Sequence, residues 1–346
     1  MAPACVVRFF PTGPWRLGPD SGERDRVESV LHSDALCSAV STAMAQLGLL
    51  EDWLVAAFPK EGAPAVRFSS CCAFKDDLLF VVPPSSLWPP APSPRVRWKG
   101  ARFVPLQVVD ALLAEQPLDE DRWRVDGVSQ CLVPSEWSQG PFQPVIRSNA
   151  TVDRLSGEVV VHRTACLEFS PGAGMWAVAA FDSEEAKARW MEPVLAALRV
   201  LADSGIGGER SKGWGRFRQP EFEEGALPDL LLKWKPAEAV VGEAEPPPAP
   251  AMAYWLLSLF SPGARDCVDW SRGHYTLLTR AGRVESPLAG GALKRHSRVV
   301  AEGSVLISDG PPGGVAHDVA PEGVPHPVYR AGYALALPIP FREVSR

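Results

Sequence analysis

The period of the apolar residues changes along this chain in a fixed order, and that order restricts the folds open to it. Residues 4–10 (ACVVRFF) form a β-branched and aromatic run that stops at Pro11 and predicts a first strand. Leu36, Ala39, Val40, Ala43 and Leu47 then recur at helical spacing, with Ser33 as N-cap, Asp34 in the first turn and Gly48 past the end. The spacing predicts a helix over 33–47. Residues 66–82 read as two strands around Lys75-Asp76-Asp77. The runs 158–169 (EVVVHRTACLEF) and 175–181 (MWAVAAF) read as a hairpin turning through Pro171 to Gly174. A second helix follows from a capping-box start at Asp182 and Glu185, carries Trp190, Val194, Leu195, Leu198 and Leu201 on one face, should kink at Pro193 and ends at Gly205. Trp214–Arg218 reads as a closing strand. Strand, helix, strand, strand, helix, strand is the βαββαβ arrangement of ferredoxin-like and RRM-like domains, an α+β class.

A chain of 346 residues has room for two such domains. Residues 219–250 hold seven prolines and a charge of −5, against −3 for residues 1–218 and +2 for residues 251–346. That stretch is expected to be an acidic linker between an N-terminal domain (1–218) and a C-terminal domain (251–346). Residues 83–150, with 11 prolines and four tryptophans, suggest an irregular insertion, bounded at about 60–157. Beyond the linker, 253–260, 275–286, 302–308 and 331–339 are strand-like and suggest a second, degenerate copy of the same fold. No apolar run reaches the ~18–20 residues that span a bilayer, and Met1–Cys5 lacks the basic and apolar start of a signal peptide. Seven cysteines in no CxxC pair read as reduced thiols, so a cytoplasmic protein without metal or other cofactor is expected.

The segment Gly205–Phe217 (GIGGERSKGWGRF) is the richest in chemistry. Glycine permits close backbone approach, so Gly207, Gly208, Gly213 and Gly215 are expected to aim N–H groups at phosphate while Arg210, Lys212 and Arg216 neutralise charge. Ser211 lies between the cations and Trp214 beside them offers a ring. Gly208 and Gly213 have P-loop spacing, but Trp214 stands where lysine is needed, and Arg210 breaks GxGxxG. His32 and Ser33 start the first helix, where free N–H groups and the dipole favour anions. Arg147, Asn149 and Arg154 precede the expected hairpin. Lys294 and Arg295 open the densest basic cluster of the second half. Solvated turns remain the bland alternative for each group. No GxSxG, HExxH or metal-ligand spacing is present.

GIGGERSKGWGRF, in a loop after the second helix, resembles the signature of the RAMP superfamily of CRISPR systems. LHSDAL (31–36), NATVDR (149–154), EGS (302–304) and HPVYRAGYA (326–334) narrow the resemblance to the Cas5-like fourth subunits of type III-A (Csm) effector complexes. The resemblance implies a non-catalytic subunit that binds the 5′ repeat-derived tag of the crRNA. It implies contact with the large polymerase/cyclase-like subunit and a backbone RAMP subunit, and indirectly with target RNA. Gly207, Gly208, Arg210, Ser211, Lys212, Gly213, Trp214 and Gly215 would touch the tag, with His32, Ser33, Arg147, Asn149 and Arg154 lining the same groove and Lys294 and Arg295 adding backbone contacts. Two alternatives stand beside it. One is a metal-independent RAMP endoribonuclease using His32 as acid/base; the other is a structural adaptor that docks through the Trp/Pro insertion.

Overall fold

Strand β1 (Ala2–Phe9) pairs antiparallel with β10 (Ala173–Phe181) on one side and β11 (Glu221–Leu227) on the other. The computed structural model describes residues 2–19, 21–235, 252–286 and 290–341. β10 also pairs with β2 (Val66–Phe68) and β3 (Cys72–Lys75), and the sheet continues through β4 (Leu78–Val81) to β5 (Val104–Pro105). Its order is β11-β1-β10-β3-β4-β5. All nine residues of β10 are buried, which explains a run with no polar alternation: both faces of the sheet are covered.

Helices α1 (Ser33–Gln46) and α4 (Glu184–Ser204) pack together, and α2 (Leu50–Ala57) sets Trp53 edge-on against Trp190 with ring centroids 5.4 Å apart. α4 buries the expected stripe of Trp190, Val194, Leu195, Leu198 and Leu201 and runs unbroken through Pro193. Its cap is Ser183, whose Oγ accepts the Ala186 N–H at 3.1 Å, one residue later than Asp182. Helix α3 (Leu106–Leu113) and the ribbon of β6 (Trp123–Asp126) and β7 (Cys131–Pro134) belong to the insertion. Phe103, Val109 and Leu132 from it join the same apolar cluster as β1 and β10. All seven cysteines are unpaired and all but Cys267 are buried. Among the described residues no helix is long and apolar enough to cross a membrane.

Four expectations are corrected. The run 159–169 does not turn back onto 173–181. Both edges of β10 are already taken by β1 and by β2 and β3, so β9 (Val159–Phe169) instead pairs with β8 (Phe142–Val152) as a hairpin of 11 residues per strand. The insertion starts after β4, since 66–81 supplies three strands of the main sheet. The closing strand is β11, inside the stretch read as linker: it pairs with β1 from Glu221 to Leu227, Phe222 and Leu227 pack against the apolar cluster, and its three glutamates are exposed. Leu231 and Leu232 are also buried, and the N–H groups of Lys233 and Trp234 donate to Asp110 at 3.0 Å. The rest of that stretch, from 236, lies outside the described residues.

The fourth correction concerns the second half. β12 (Met252–Leu256) is the centre of a three-stranded antiparallel sheet between β15 (Val305–Ile307) and β18 (Ala336–Pro340). Two ribbons complete it, β13 (Leu277–Arg280) with β14 (Ser297–Val300) and β16 (His317–Asp318) with β17 (Tyr329–Arg330). No α-helix occurs among the described residues of this half, so the crossover helices of a second βαββαβ unit are not among them.

The seam between the halves is polar and buried. Ser33 is the first residue of α1 and does not cap it; its Oγ accepts the Leu259 N–H at 3.0 Å. Asp34 accepts from Nε and Nη2 of Arg280 at 3.1 and 3.0 Å, and Nε of Arg330 lies 3.5 Å away. Arg330 is in turn fixed by the Arg280 carbonyl at 2.8 Å and Ser297 Oγ at 2.7 Å. All three charged side chains are less than 10% exposed. Removing one partner of a buried ion pair leaves the others uncompensated, at a cost of ~3–5 kcal/mol. Asp34→Asn is therefore expected to lower unfolding free energy by about that amount in urea titrations, whereas Asp52→Asn on the exposed face of α2 should stay within ~0.5 kcal/mol.

Candidate nucleic-acid interface

An aromatic cluster holds the glycine-rich loop in place. Phe217 packs against Phe9 (5.0 Å between centroids) and Trp15 (5.7 Å), and Trp15 donates its indole N–H to the Arg216 carbonyl at 3.2 Å. Trp15 also meets Phe169 at the base of the β8–β9 hairpin, so loop and hairpin share one anchor. From it the loop folds down onto residues 14–16. Gly208 N–H donates to the Arg16 carbonyl and Gly215 N–H to the Pro14 carbonyl, both at 2.9 Å.

That folding explains the glycines. Gly207 has φ +88° and Gly215 φ +78°, and a Cβ would run into the carbonyl oxygens of Arg16 and Ile206 respectively. The expectation that loop amides face a ligand is therefore revised: N–H groups of Ile206, Gly208, Lys212, Gly213 and Gly215 are bonded within the protein. Trp214 is buried as well, with the Arg147 guanidinium 6.0 Å from its ring.

The loop forms one wall of a cleft of about 320 Å³. The start of α1 forms the floor, and the opposite wall comes from the second half through Arg280, Arg283, Glu285, Lys294 and Arg330. Gly207, Gly208, Arg210, His32 and Lys294 thus meet here from three distant stretches of chain. Arg16 lines it too, nine-tenths buried, its guanidinium held by the carbonyls of Ala165 (2.8 Å), Glu23 (2.8 Å) and Arg24 (3.1 Å). Burial works against the charge on Arg16, and Glu209 is the strongest acidic influence in its favour; the carbonyls themselves carry no net charge to cancel it at the cleft wall.

Other expected residues are placed elsewhere. Ser33 is spent on the seam. Arg147 pairs with Glu168 on the neighbouring strand, Nη2 to Oε1 2.6 Å. Asn149 lies further out along β8 and Arg154 in the turn at the hairpin tip, so neither lines the cleft. At ~3.3 Å per strand residue the tip is roughly 20 Å of chain from Arg147. Arg295 donates to the Asp318 carbonyl at 2.9 Å and is exposed beside the cleft. Ser211 is exposed in the short turn Arg210–Lys212. Sequence reading missed Arg16, Arg280, Arg283, Glu285 and Glu302. Only EGS and the Tyr329-Arg330 pair hinted at them.

His32 is not an open acid/base group. Its Nδ1 lies 3.0 Å from Glu302 Oε1 and its Nε2 3.4 Å from Glu28 Oε2. Burial works against the charged ring, but Glu302 and hydrogen bonds to both carboxylates outweigh it and raise the His32 pKa to about 9. Burial likewise opposes charge on Asp34 and Glu302, yet Arg280 and His32 respectively hold them below the ordinary carboxylate range. The raised histidine stabilises the fold fully below its unfolded value of 6.5, and that contribution disappears as pH rises through about 9. At ~1.4 kcal/mol per unit it is worth on the order of 3 kcal/mol. Urea midpoints should fall between pH 6.5 and 9 in the native chain, and His32→Gln should flatten that fall.

Residues 249–339 match the family model of the CRISPR Csm4 C-terminal domain. Along its length the chain is similar in fold to a chain of the Csm3-Csm4 subcomplex from the type III-A CRISPR-Cas interference complex, with 14% identity, TM-score 0.61, and 98% of this chain and 99% of that chain covered. It is similar in the same way to a chain of the Csm1-Csm4 cassette in complex with cA4 (16% identity, TM-score 0.57) and with pppApA (16%, 0.56), each covering 99% of this chain and 100% of that one. No curated protein matches the chain.

Proposed function

We propose that this chain, which carries a Csm4 C-terminal domain on a Csm4-like fold, is the non-catalytic subunit of a type III-A CRISPR effector complex that binds the 5′ repeat-derived tag of the crRNA in the cleft between its halves. The cleft carries the reading: residues 14–16, the loop and the second half bring Arg16, Arg210, Arg283 and Lys294 to one opening although the protein as a whole has a net charge of −6. Single-stranded RNA is held by cations that track its backbone, and such a local concentration of positive charge is what that needs. Partners follow from the crystallised relatives. Csm1, the large polymerase/cyclase-like subunit, and Csm3, the backbone RAMP subunit, are the neighbours named with Csm4, so binding to both belongs to the proposal. We read the first half as a ferredoxin-like unit, its β11-β1-β10-β3 order being that of the βαββαβ fold, and the second as a reduced relative of it. The complex is expected to act in the cytoplasm.

The setting of His32 speaks against its use as the general base of the nuclease alternative. A general base must offer a lone pair near neutral pH, and His32, with a carboxylate at each ring nitrogen, stays doubly protonated there. Arg210→Ala/Lys212→Ala is expected to weaken binding of tag-containing RNA at least tenfold in fluorescence anisotropy and to lower the crRNA content of complexes assembled with Csm1 and Csm3. Unchanged affinity and crRNA content would overturn the assignment. Cleavage of repeat RNA in EDTA, lost on His32→Ala, would restore the nuclease.

A further inference from the structure

Three of the cations expected to meet RNA are already paired with protein carboxylates. Arg210 Nη2 lies 2.7 Å from Glu285 Oε1, a contact that crosses the cleft from the glycine-rich loop to the second half. Lys212 Nζ lies 2.6 Å from Glu209 Oε2 within the loop. Arg147, beside Trp214, is held by Glu168 through Nε (3.0 Å) and Nη2 (2.6 Å). Each is a carboxylate on a group whose geometry also suits a phosphate oxygen.

The Arg210–Glu285 pair is poorly explained as a stabiliser of the fold. Arg210 and Glu285 are 34% and 52% exposed at the side chain, and ion pairs that open to water are worth only ~0.2–1 kcal/mol. The buried clasp of Asp34 with Arg280 and Arg330 already joins the halves at the same seam. Glu285 instead lines the cleft itself, where a carboxylate is an electrostatic cost to any polyanion that enters. Glu209 is held at φ +60°, a left-handed conformation that glutamate seldom adopts, and its carboxylate meets Lys212 within the loop.

We infer that Glu285 stands in the place of an RNA phosphate on Arg210 in the free protein, so that RNA enters the cleft by displacing a protein carboxylate, with Glu209 doing the same on Lys212 in the part of the loop beyond the cleft lining. The inference rests on the reading of the cleft as an RNA interface. Displacement makes binding selective. A ligand must satisfy several exchanged pairs at once to recover what is lost, which a short or misplaced polyanion does not do, and this accords with a basic cleft on an acidic protein. It also gives the pair a sign opposite to an ordinary salt bridge: deleting the carboxylate should strengthen function.

The test is anisotropy with a labelled single-stranded RNA of about 12 nucleotides, within the length range such sites take, on the full chain at low and physiological salt. Glu285→Gln is expected to tighten binding three- to tenfold, and Glu209→Gln to tighten it similarly. In an Arg210→Ala background the Glu285→Gln gain should vanish, because there is no cation left to release. Glu221→Gln on the outer edge of β11 removes the same charge away from the cleft and should change affinity less than twofold. Weaker or unchanged binding by Glu285→Gln, or a gain that persists without Arg210, would overturn the inference while leaving the RNA interface standing. Absence of RNA binding by the native chain, or full affinity in Arg210→Ala/Lys212→Ala, would overturn the interface reading and the inference with it.

Discussion

A single buried carboxylate organises this protein. Asp34 sits at the first turn of α1 and draws in two guanidinium groups from the other half of the molecule, Arg280, which lies 246 residues later in the chain, and Arg330 beyond it. Burial of three charged groups is unfavourable unless each is satisfied, and here Asp34 meets both guanidinium groups, with two hydrogen bonds from Arg280, while Arg330 is held further by the Arg280 carbonyl and Ser297. The neighbouring residues extend the same device. Ser33 ties α1 to the Leu259 amide, and His32 is locked between Glu28 and Glu302. Three consecutive side chains therefore define how the halves meet, and hence the shape of the cleft between them.

The cleft inherits its rigidity from that seam. Its glycine-rich wall is pinned from below by Trp15 and Phe217 and from the side by the carbonyls around Arg16, while its other wall hangs from Arg280 and Arg330. Two of the glycines serve this packing, Gly207 letting the loop lie against the Arg16 carbonyl and Gly215 letting it close on its own Ile206 carbonyl, at distances no side chain would allow. What is left pointing into the opening is charge on long side chains. Backbone shape thus sets where the cations stand, and side-chain charge sets what they attract.

The β8–β9 hairpin shows the limit of local pattern. Its second strand reads as a good partner for the strand that follows, with a suitable turn between them, yet β10 is so uniformly apolar that it goes to the centre of the sheet and spends both edges there. Polar and charged residues at 162, 163 and 168 would have been carried into the core with it. Likewise Glu221–Leu227 looks like linker by charge, although it pairs along its whole length with β1 as the edge strand of the main sheet and buries Leu227 at its end.

Apolar periodicity and glycine placement in the amino-acid order determined α1, α4, β1 and β10, the position of the basic loop and the acidic stretch after the first half, because those features act between residues a few positions apart. Pairing of the strands, the burial of Trp214, the occupation of His32 by two carboxylates and the meeting of Arg210 with Glu285 were decided by the tertiary structure alone. Those depend on which distant groups compete for one buried place, and sheet edges and charged partners are scarce enough that the outcome is settled only when the whole chain is packed.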